Sequence, residues 1–391
     1  MAIQSFSSGQ TLTAQQMNDL QKNDYNQTIS AKATSYTLVA GDVGTHVQMT
    51  ASTATTISVP NATFATGDSL FISSQGSGAC TIQAASTAIT VSGSSLELSQ
   101  FGGGTLRFQS SSACTFFSGS GGPATIAVDY VIQAGGGGGA GKFYGGGAGA
   151  GGLRSTVTAT GGGGTLEPAA NLSFSTNYNI TIGAGGGGGY YTNGGNGGVS
   201  SFAGLIAVGG GASNGLSGGC GGAASGAGFV NQGFAGGTPA AVAAGIGNGG
   251  GGGTGAVGVN GSSANGGAGG AGVATSITGS SVTTGGGGGG SSFSGTIGSG
   301  GSGGGGAGAR GSATISQAVA GTANTGGGGG GGSHNTTASG AAGGRGVVVL
   351  RWLTSKGSIT VGAGLTADAT GTDGAYSYKR FTAGSGNVSF A

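Results

Sequence analysis

From residue 35 to 118 apolar and polar positions alternate over short runs, as in Val47-Gln48-Met49 and Ile57-Ser58-Val59. A period of two places successive side chains on opposite faces of a strand, so each run predicts a strand with one buried face. The runs fall at 36–39, 45–49, 56–59, 69–72, 81–83, 89–91, 96–98, 105–108 and 115–117. Turn-forming residues separate them, among them Gly41-Asp42, Pro60-Asn61, Gly67-Asp68 and Gly102-Gly103-Gly104. Short strands with such punctuation predict an all-β sandwich over 35–120. Ahead of it one segment has a helical pattern. Thr13 and Gln16 have the spacing of a capping box, and Met17 and Leu20 then share one face of a short helix that ends near Asp24. Residues 1–34 are therefore an attachment segment with a short helix, which packs on its own domain or docks the chain into a larger assembly.

Beyond a Gly/Ser/Pro joint at 119–124 the pattern changes again. Over 121–353 apolar anchors such as Tyr130-Val131-Ile132, Tyr178-Asn179-Ile180-Thr181-Ile182 and Leu205-Ile206-Ala207-Val208 each lead into a run of glycines. The main runs are 135–139, 145–147, 161–164, 185–189, 209–211, 249–253, 285–290, 303–306 and 326–332, and residues 121–345 hold 85 of the chain's 104 glycines. Collagen is excluded, because it needs glycine at every third position and abundant proline, and the chain has four prolines. A flexible linker would keep itself soluble by charge, yet no Asp, Glu, Lys or Arg stands between Glu167 and Arg310. The remaining reading is a bundle of polyglycine II helices. These have three residues per turn, a rise of about 3.1 Å and no internal hydrogen bonds. Each N–H and C=O must then find a neighbouring helix, which comes close enough only where no Cβ intervenes. A run of five glycines spans roughly 15 Å at that rise, so the bundle is a thin slab crossed many times.

The slab has β-strand margins. The apolar run 347–352 is the natural partner of 127–132, and 153–182 is an excursion with strands at 156–158 and 178–182. Residues 354–391 form a small C-terminal β-element carrying Asp373, Lys379 and Arg380.

Charge and chemistry narrow the function. Net charge is +2, charged residues are 5% of the chain, and no basic patch marks a nucleic-acid partner. The start Met1-Ala2-Ile3-Gln4-Ser5 is unlike a signal peptide, and no apolar stretch approaches the roughly 20 residues of a membrane span. Cys80, Cys114 and Cys220 lack metal spacing and read as buried small residues, with a Cys80–Cys114 bridge as the alternative. His46 and His334 lie in different domains without a carboxylate or cysteine close in sequence, and the glycine runs lack the Gly-Lys-Ser/Thr ending of a phosphate loop. No catalytic constellation, metal site or cofactor site results, and the chain is expected not to be an enzyme. The chemistry-bearing positions are large side chains in the breaks between glycine runs: Phe143, Tyr144, Tyr190, Tyr191, Asn193, Phe229, Phe234, Phe293 and His334. An aromatic flanked by Asn or Ser can stack on a sugar or fill a protein pocket; it can equally cap the slab against water or pack on another subunit.

Two groups of phrases carry a resemblance. The opening Ser8-Gly9-Gln10-Thr11-Leu12-Thr13-Ala14-Gln15-Gln16-Met17-Asn18 and the later Tyr36-Thr37-Leu38-Val39-Ala40-Gly41-Asp42-Val43-Gly44 resemble the N-terminal module of tailed-phage tail and fibre proteins. The start at 130–139, Gly151-Gly152-Leu153-Arg154-Ser155, Ile180-Thr181-Ile182-Gly183-Ala184-Gly185 and the close at 343–350 resemble the glycine-rich domain of phage tail fibres and adhesins. Arg380-Phe381-Thr382-Ala383-Gly384-Ser385-Gly386 is also similar, although in such proteins it precedes the glycine domain and here it follows. The resemblance implies a virion tail-fibre protein, made in the host cytoplasm. It would attach to other virion tail proteins through Thr13, Met17 and Leu20. Its loops would bind a host surface receptor, a glycan or an outer-membrane protein. By the same analogy it is a homo-oligomer, with a trimer favoured. The alternative is a purely structural virion protein, a fibre shaft or capsid decoration. An ice-binding protein would need a flat, Thr/Ala-rich face, against which the irregular loop lengths speak.

Overall fold

The computed structural model describes residues 28–93, 95–119, 125–141, 145–240, 247–311, 317–333 and 338–391. The helix expected around Thr13, Met17 and Leu20 lies outside these residues. The chain divides into two compact units, Met1–Ala124 and Thr125–Ala391.

The first unit holds β1 (Ile29–Lys32), β2 (Tyr36–Thr37), β3 (His46–Met49), β4 (Thr55–Val59), β5 (Ser69–Ser74), β6 (Cys80–Ala84), β7 (Thr90–Gly93), β8 (Glu97–Leu98), β9 (Gly103–Ser110) and β10 (Ala113–Gly119). They form a six-stranded sheet in the order β1-β3-β5-β9-β10-β7 and a four-stranded sheet in the order β2-β4-β6-β8. Every strand read from the alternation is present, and β1 is an addition. The expected sandwich is corrected in its pairing. β1, β3 and β5 run parallel, as do β2, β4 and β6. The chain crosses from one sheet to the other on each circuit, so strands stacked within a sheet share a direction. The antiparallel pairs β5–β9 and β9–β10 close this solenoid. Val47, Ile57, Ile72, Ile82, Leu106 and Phe116 fill the space between the sheets. Cys80 and Cys114 are buried in the same core as free thiols, so the alternative bridge does not form.

The second unit holds β11 (Thr125–Gln133), β12 (Leu153–Ser155), β13 (Ala170–Ser173), β14 (Tyr178–Thr181), β15 (Ser200–Phe202), β16 (Leu205–Ala207), β17 (Val273–Thr275), β18 (Val282–Thr284), β19 (Val347–Leu353), β20 (Ile359–Val361), β21 (Leu365–Ala367), β22 (Gly371–Asp373) and β23 (Tyr376–Phe390). An 11-stranded sheet runs β12-β11-β19-β23-β14-β15-β16, with β13 on β11 and β20, β21 and β22 on β23. The entry and exit strands lie side by side as expected, Val128 opposite Trp352 and Gln133 opposite Val347. Two readings are corrected. Residues 156–158 are not a strand; the pairing with β11 is made instead by β12, just upstream. The C-terminal residues are not a separate element, because β23 pairs with both β19 and β14. The apolar faces of Val348, Leu350, Phe381, Val388 and Phe390 can be buried only by joining that sheet, and they share a core with Tyr130, Ile132, Phe202 and Trp352.

Outside these strands the glycine runs form rods without regular secondary structure of their own. The rod 134–141 continues β11. Gly135, Gly138 and Gly141 donate backbone hydrogen bonds to Gly198, Gly195 and Thr192 on one neighbour, Gly136 and Gly139 to Gly344 and Ala341 on a second, and Gly137 to Gly149 on a third. Each neighbour is met again after three residues, which is the screw of polyglycine II. Three further rods donate to this one, through Gly186 and Gly189, Gly210 and Ser213, and Gly329 and Gly332. The neighbours that accept from it run antiparallel and those that donate to it run parallel. Six neighbours also surround 145–152, 247–254, 285–291 and 326–333, so the backbone polar groups of the slab interior are answered by other backbone.

Candidate functional site

Rods alternate in direction, so their connections collect at two ends. One end is set by the sheet, since 134–141 leaves directly from β11. The opposite end carries the free tips. Gly141 donates to Thr192, Ser291 to the Gly145 carbonyl and Ser213 to the Gly138 carbonyl, which places 190–193, 213–215 and 292–295 at that end.

The strand end is finished by buried side chains in place of missing backbone partners. Gln133, completely buried, donates from Nε2 to the Gly151 carbonyl at 2.7 Å and accepts from Thr284 Oγ1. Ser200 donates to the Gln133 carbonyl and accepts from the Gly183 N–H. Thr254 donates to the Thr284 carbonyl and accepts from Val273. Gln232 spans the outer edge of β16: its Oε1 accepts from the Val208 N–H at 2.8 Å and its Nε2 donates to the Ile206 carbonyl at 3.2 Å. A carboxamide there imitates the next strand and blunts an open sheet edge. Sequence reasoning missed this collar because lone Gln, Ser and Thr residues in low-complexity sequence carry no local signal.

One charged cluster lies beside the sheet. Arg154 donates from Nε and Nη2 to Glu167 at 2.8 and 2.6 Å, and the buried Tyr130 hydroxyl donates to the same carboxylate at 2.6 Å. Burial alone would raise the Glu167 pKa, but the hydrogen bonds from Arg154 and Tyr130 outweigh it and hold the carboxyl below its ordinary value. Burial first, and then the Glu167 bond and charge, push the Tyr130 phenol up. The cluster pins the excursion after β12 to β11. Burial also raises the Cys220 thiol, to about 12, which keeps it an unreactive neutral group. His46 is half-buried on β3 against Phe71 and Ser73. Among the described residues no group of His, Cys, Asp and Glu could hold a metal ion, and no helix is long and apolar enough to cross a membrane.

The structure separates the candidate residues taken from the sequence. Tyr190 and Tyr191 stand at the tip end, 53% and 46% exposed, with ring centroids 4.3 Å apart and planes at 86°. Asn193 is exposed on the same tip, and its Oδ1 accepts from Asn214 Nδ2 of the next tip at 3.0 Å. Phe293 is also exposed at the tip end, but rods 134–141 and 145–152 lie between its rod and that of Tyr190. Phe229 and Phe234 belong to the other end. Their turn is bound to the sheet by the Leu153 N–H donating to the Gln232 carbonyl. Phe229 is exposed there and Phe234 half-buried, so neither joins a site with the tyrosines. Phe143, Tyr144 and His334 lie outside the described residues.

With this geometry in place the family can be stated. Residues 123–353 match the model of the glycine-rich domain, more than half of the chain, and the chain belongs to that family. No curated protein matches it.

Proposed function

We propose that the protein is a tail-fibre or receptor-binding protein of a tailed bacteriophage, which attaches the virion to the host surface through the tips of its glycine-rich slab. The observation that carries this reading is the pair of exposed tyrosines, Tyr190 and Tyr191, at the end of the slab remote from its sheet. Two large, rigid side chains on a hydrogen-bonded scaffold lose little freedom when a ligand binds. The phrases shared with phage fibre proteins and the glycine-rich domain family are consistent with it. In this reading the partners are other virion tail proteins and a host receptor, and the working form is a homo-oligomer, with a trimer favoured by analogy.

The test is binding of the fluorescently labelled full chain to a panel of bacterial strains. Wild type should label at least one strain. The double variant Tyr190→Ser/Tyr191→Ser should lose at least tenfold in apparent affinity, with an unchanged thermal unfolding midpoint. Phe229→Ser, at the opposite end, should bind as wild type does. If no strain is labelled, or the tyrosine variant labels as well as wild type, the adhesin reading fails and a purely structural virion role takes its place.

A further inference from the structure

We infer that the Asn193–Gly194 peptide is a site of self-modification, where the chain converts the Asn193 carboxamide into a carboxylate by way of a succinimide ring. The reaction needs only water and is independent of receptor binding.

The step is intramolecular. The Gly194 nitrogen attacks Asn193 Cγ and gives up its proton to solvent. The new N–C bond closes a five-membered ring, and the side-chain nitrogen leaves as ammonia. Water then opens the ring at either carbonyl. Opening at the former side-chain carbonyl leaves Asp; opening at the main-chain carbonyl leaves isoaspartate, in which the main chain runs through the former side chain. A following glycine favours the attack because it has no Cβ to crowd its nitrogen. The ring closes only if the rigid peptide plane between the two residues turns to bring its nitrogen onto Cγ. A hydrogen bond made by that plane opposes the turn.

Six Asn-Gly pairs occur in the chain, beginning at 193, 196, 214, 248, 260 and 265. In five of them the plane is pinned. The N–H groups of Gly197, Gly215, Gly261 and Gly266 donate to the carbonyls of Gly210, Ala223, Thr238 and Thr296, and the Asn248 carbonyl accepts from the Gly267 N–H. Side chains add to the hold. Asn196, Asn260 and Asn265 accept at Oδ1 from the N–H groups of Ala212, Thr238 and Thr296, and Asn248 Nδ2 donates to Ser291 Oγ. The sixth pair differs: neither the Asn193 carbonyl nor the Gly194 N–H makes a backbone hydrogen bond. Asn193 is also exposed to the water that the reaction consumes.

Asn193 Oδ1 accepts from Asn214 Nδ2 at 3.0 Å. Negative charge gathers on that oxygen as the nitrogen attacks, so the donor stabilises the tetrahedral intermediate. Local sequence does not single this pair out. Asn193-Gly194-Gly195 and Asn196-Gly197-Gly198 are the same triplet, and only the fold makes them unequal. Conversion gives the tip a new negative charge and, as isoaspartate, a main chain longer by one carbon atom.

The test is to incubate the full chain at neutral pH, folded and in denaturant, and to sample it over weeks. Chymotryptic cleavage after Tyr191 and Phe202 releases a peptide that carries both Asn193 and Asn196, and fragment masses locate the conversion. In the folded chain Asn193 should convert at least tenfold faster than Asn196 and than the other four. In denaturant the rates at Asn193 and Asn196 should come within about twofold of each other. Asn214→Ala, with an unchanged unfolding midpoint, should slow Asn193 at least threefold and leave Asn196, Asn248, Asn260 and Asn265 as they were. Equal rates at Asn193 and Asn196 in the folded chain, or no conversion of Asn193 there, overturns the site. An unchanged or faster Asn193 in Asn214→Ala overturns the part given to Asn214.

Discussion

Gly138 shows how closely the rods approach. A Cβ added there would stand 2.6 Å from the Gly187 carbonyl carbon, with the carbonyl oxygen closer still. Neither backbone can retreat, because each is bonded to further rods. At Gly187 a Cβ would meet nothing within 4 Å. Identical residues in similar runs are therefore unequal. Gly138→Ala should destabilise the protein by about 1–3 kcal/mol, the usual cost of overpacking, and Gly187→Ala should stay within about 0.5 kcal/mol of wild type. Chemical denaturation of the two variants measures both, and equal losses would mean that the rods are not bonded side by side as described. The sequence shows that glycine is needed in these runs. It does not show which glycines, because each answer depends on a rod far away in the chain.

Among elements, strands were legible and their partners only partly so. The alternation in Val47-Gln48-Met49 marks β3, and the apolar run of β19 asks for burial on both faces, which two cores provide, one taking Val348, Leu350 and Trp352 and the other Val347 and Val349. What the local pattern omits is direction. Parallel stacking of β1, β3 and β5 follows from where each connection leads, not from the strands themselves. In the candidate site the exposed tyrosines were visible as large residues interrupting glycine. That Phe229 faces the opposite end was not, because it requires counting rods through every reversal. At this scale the Tyr130–Arg154–Glu167 cluster joins β11, β12 and the excursion between β12 and β13. A carboxylate whose folded pKa is depressed contributes stability above its unfolded value, near 4.3, and loses it as the pH falls through the lower folded value. Glu167→Gln should lower the unfolding midpoint at neutral pH and flatten its decline below about pH 4.3. Thermal melts from pH 7 to 3 check this, and parallel curves for variant and wild type would remove Glu167 from the acid response.

In the molecule as a whole the slab is built from backbone. Its interior rods have neither the internal bonds of a helix nor the pairwise ladder of a sheet, and each shares its bonds among six neighbours. Amide exchange should therefore be slow over 134–141, 145–152 and 247–254, comparable with β11 and β19 and slower than at 190–193. Exchange over those rods as fast as in an unstructured peptide would mean that they behave as linkers. The three-residue recurrence of bonds has a consequence for how such a molecule can vary. One residue inserted into a rod turns everything beyond it by a third of a revolution and aims each later amide at the wrong neighbour. Three residues restore the aim but leave that rod standing one turn proud of its companions, so rod length is set jointly for the whole slab. A tip obeys no such count. Insertions and deletions should be tolerated in the turns, where they would reshape the presented surface without disturbing the lattice below. The architecture is a fixed socket with exchangeable ends, and differences in length between related chains should accumulate there in steps of any size.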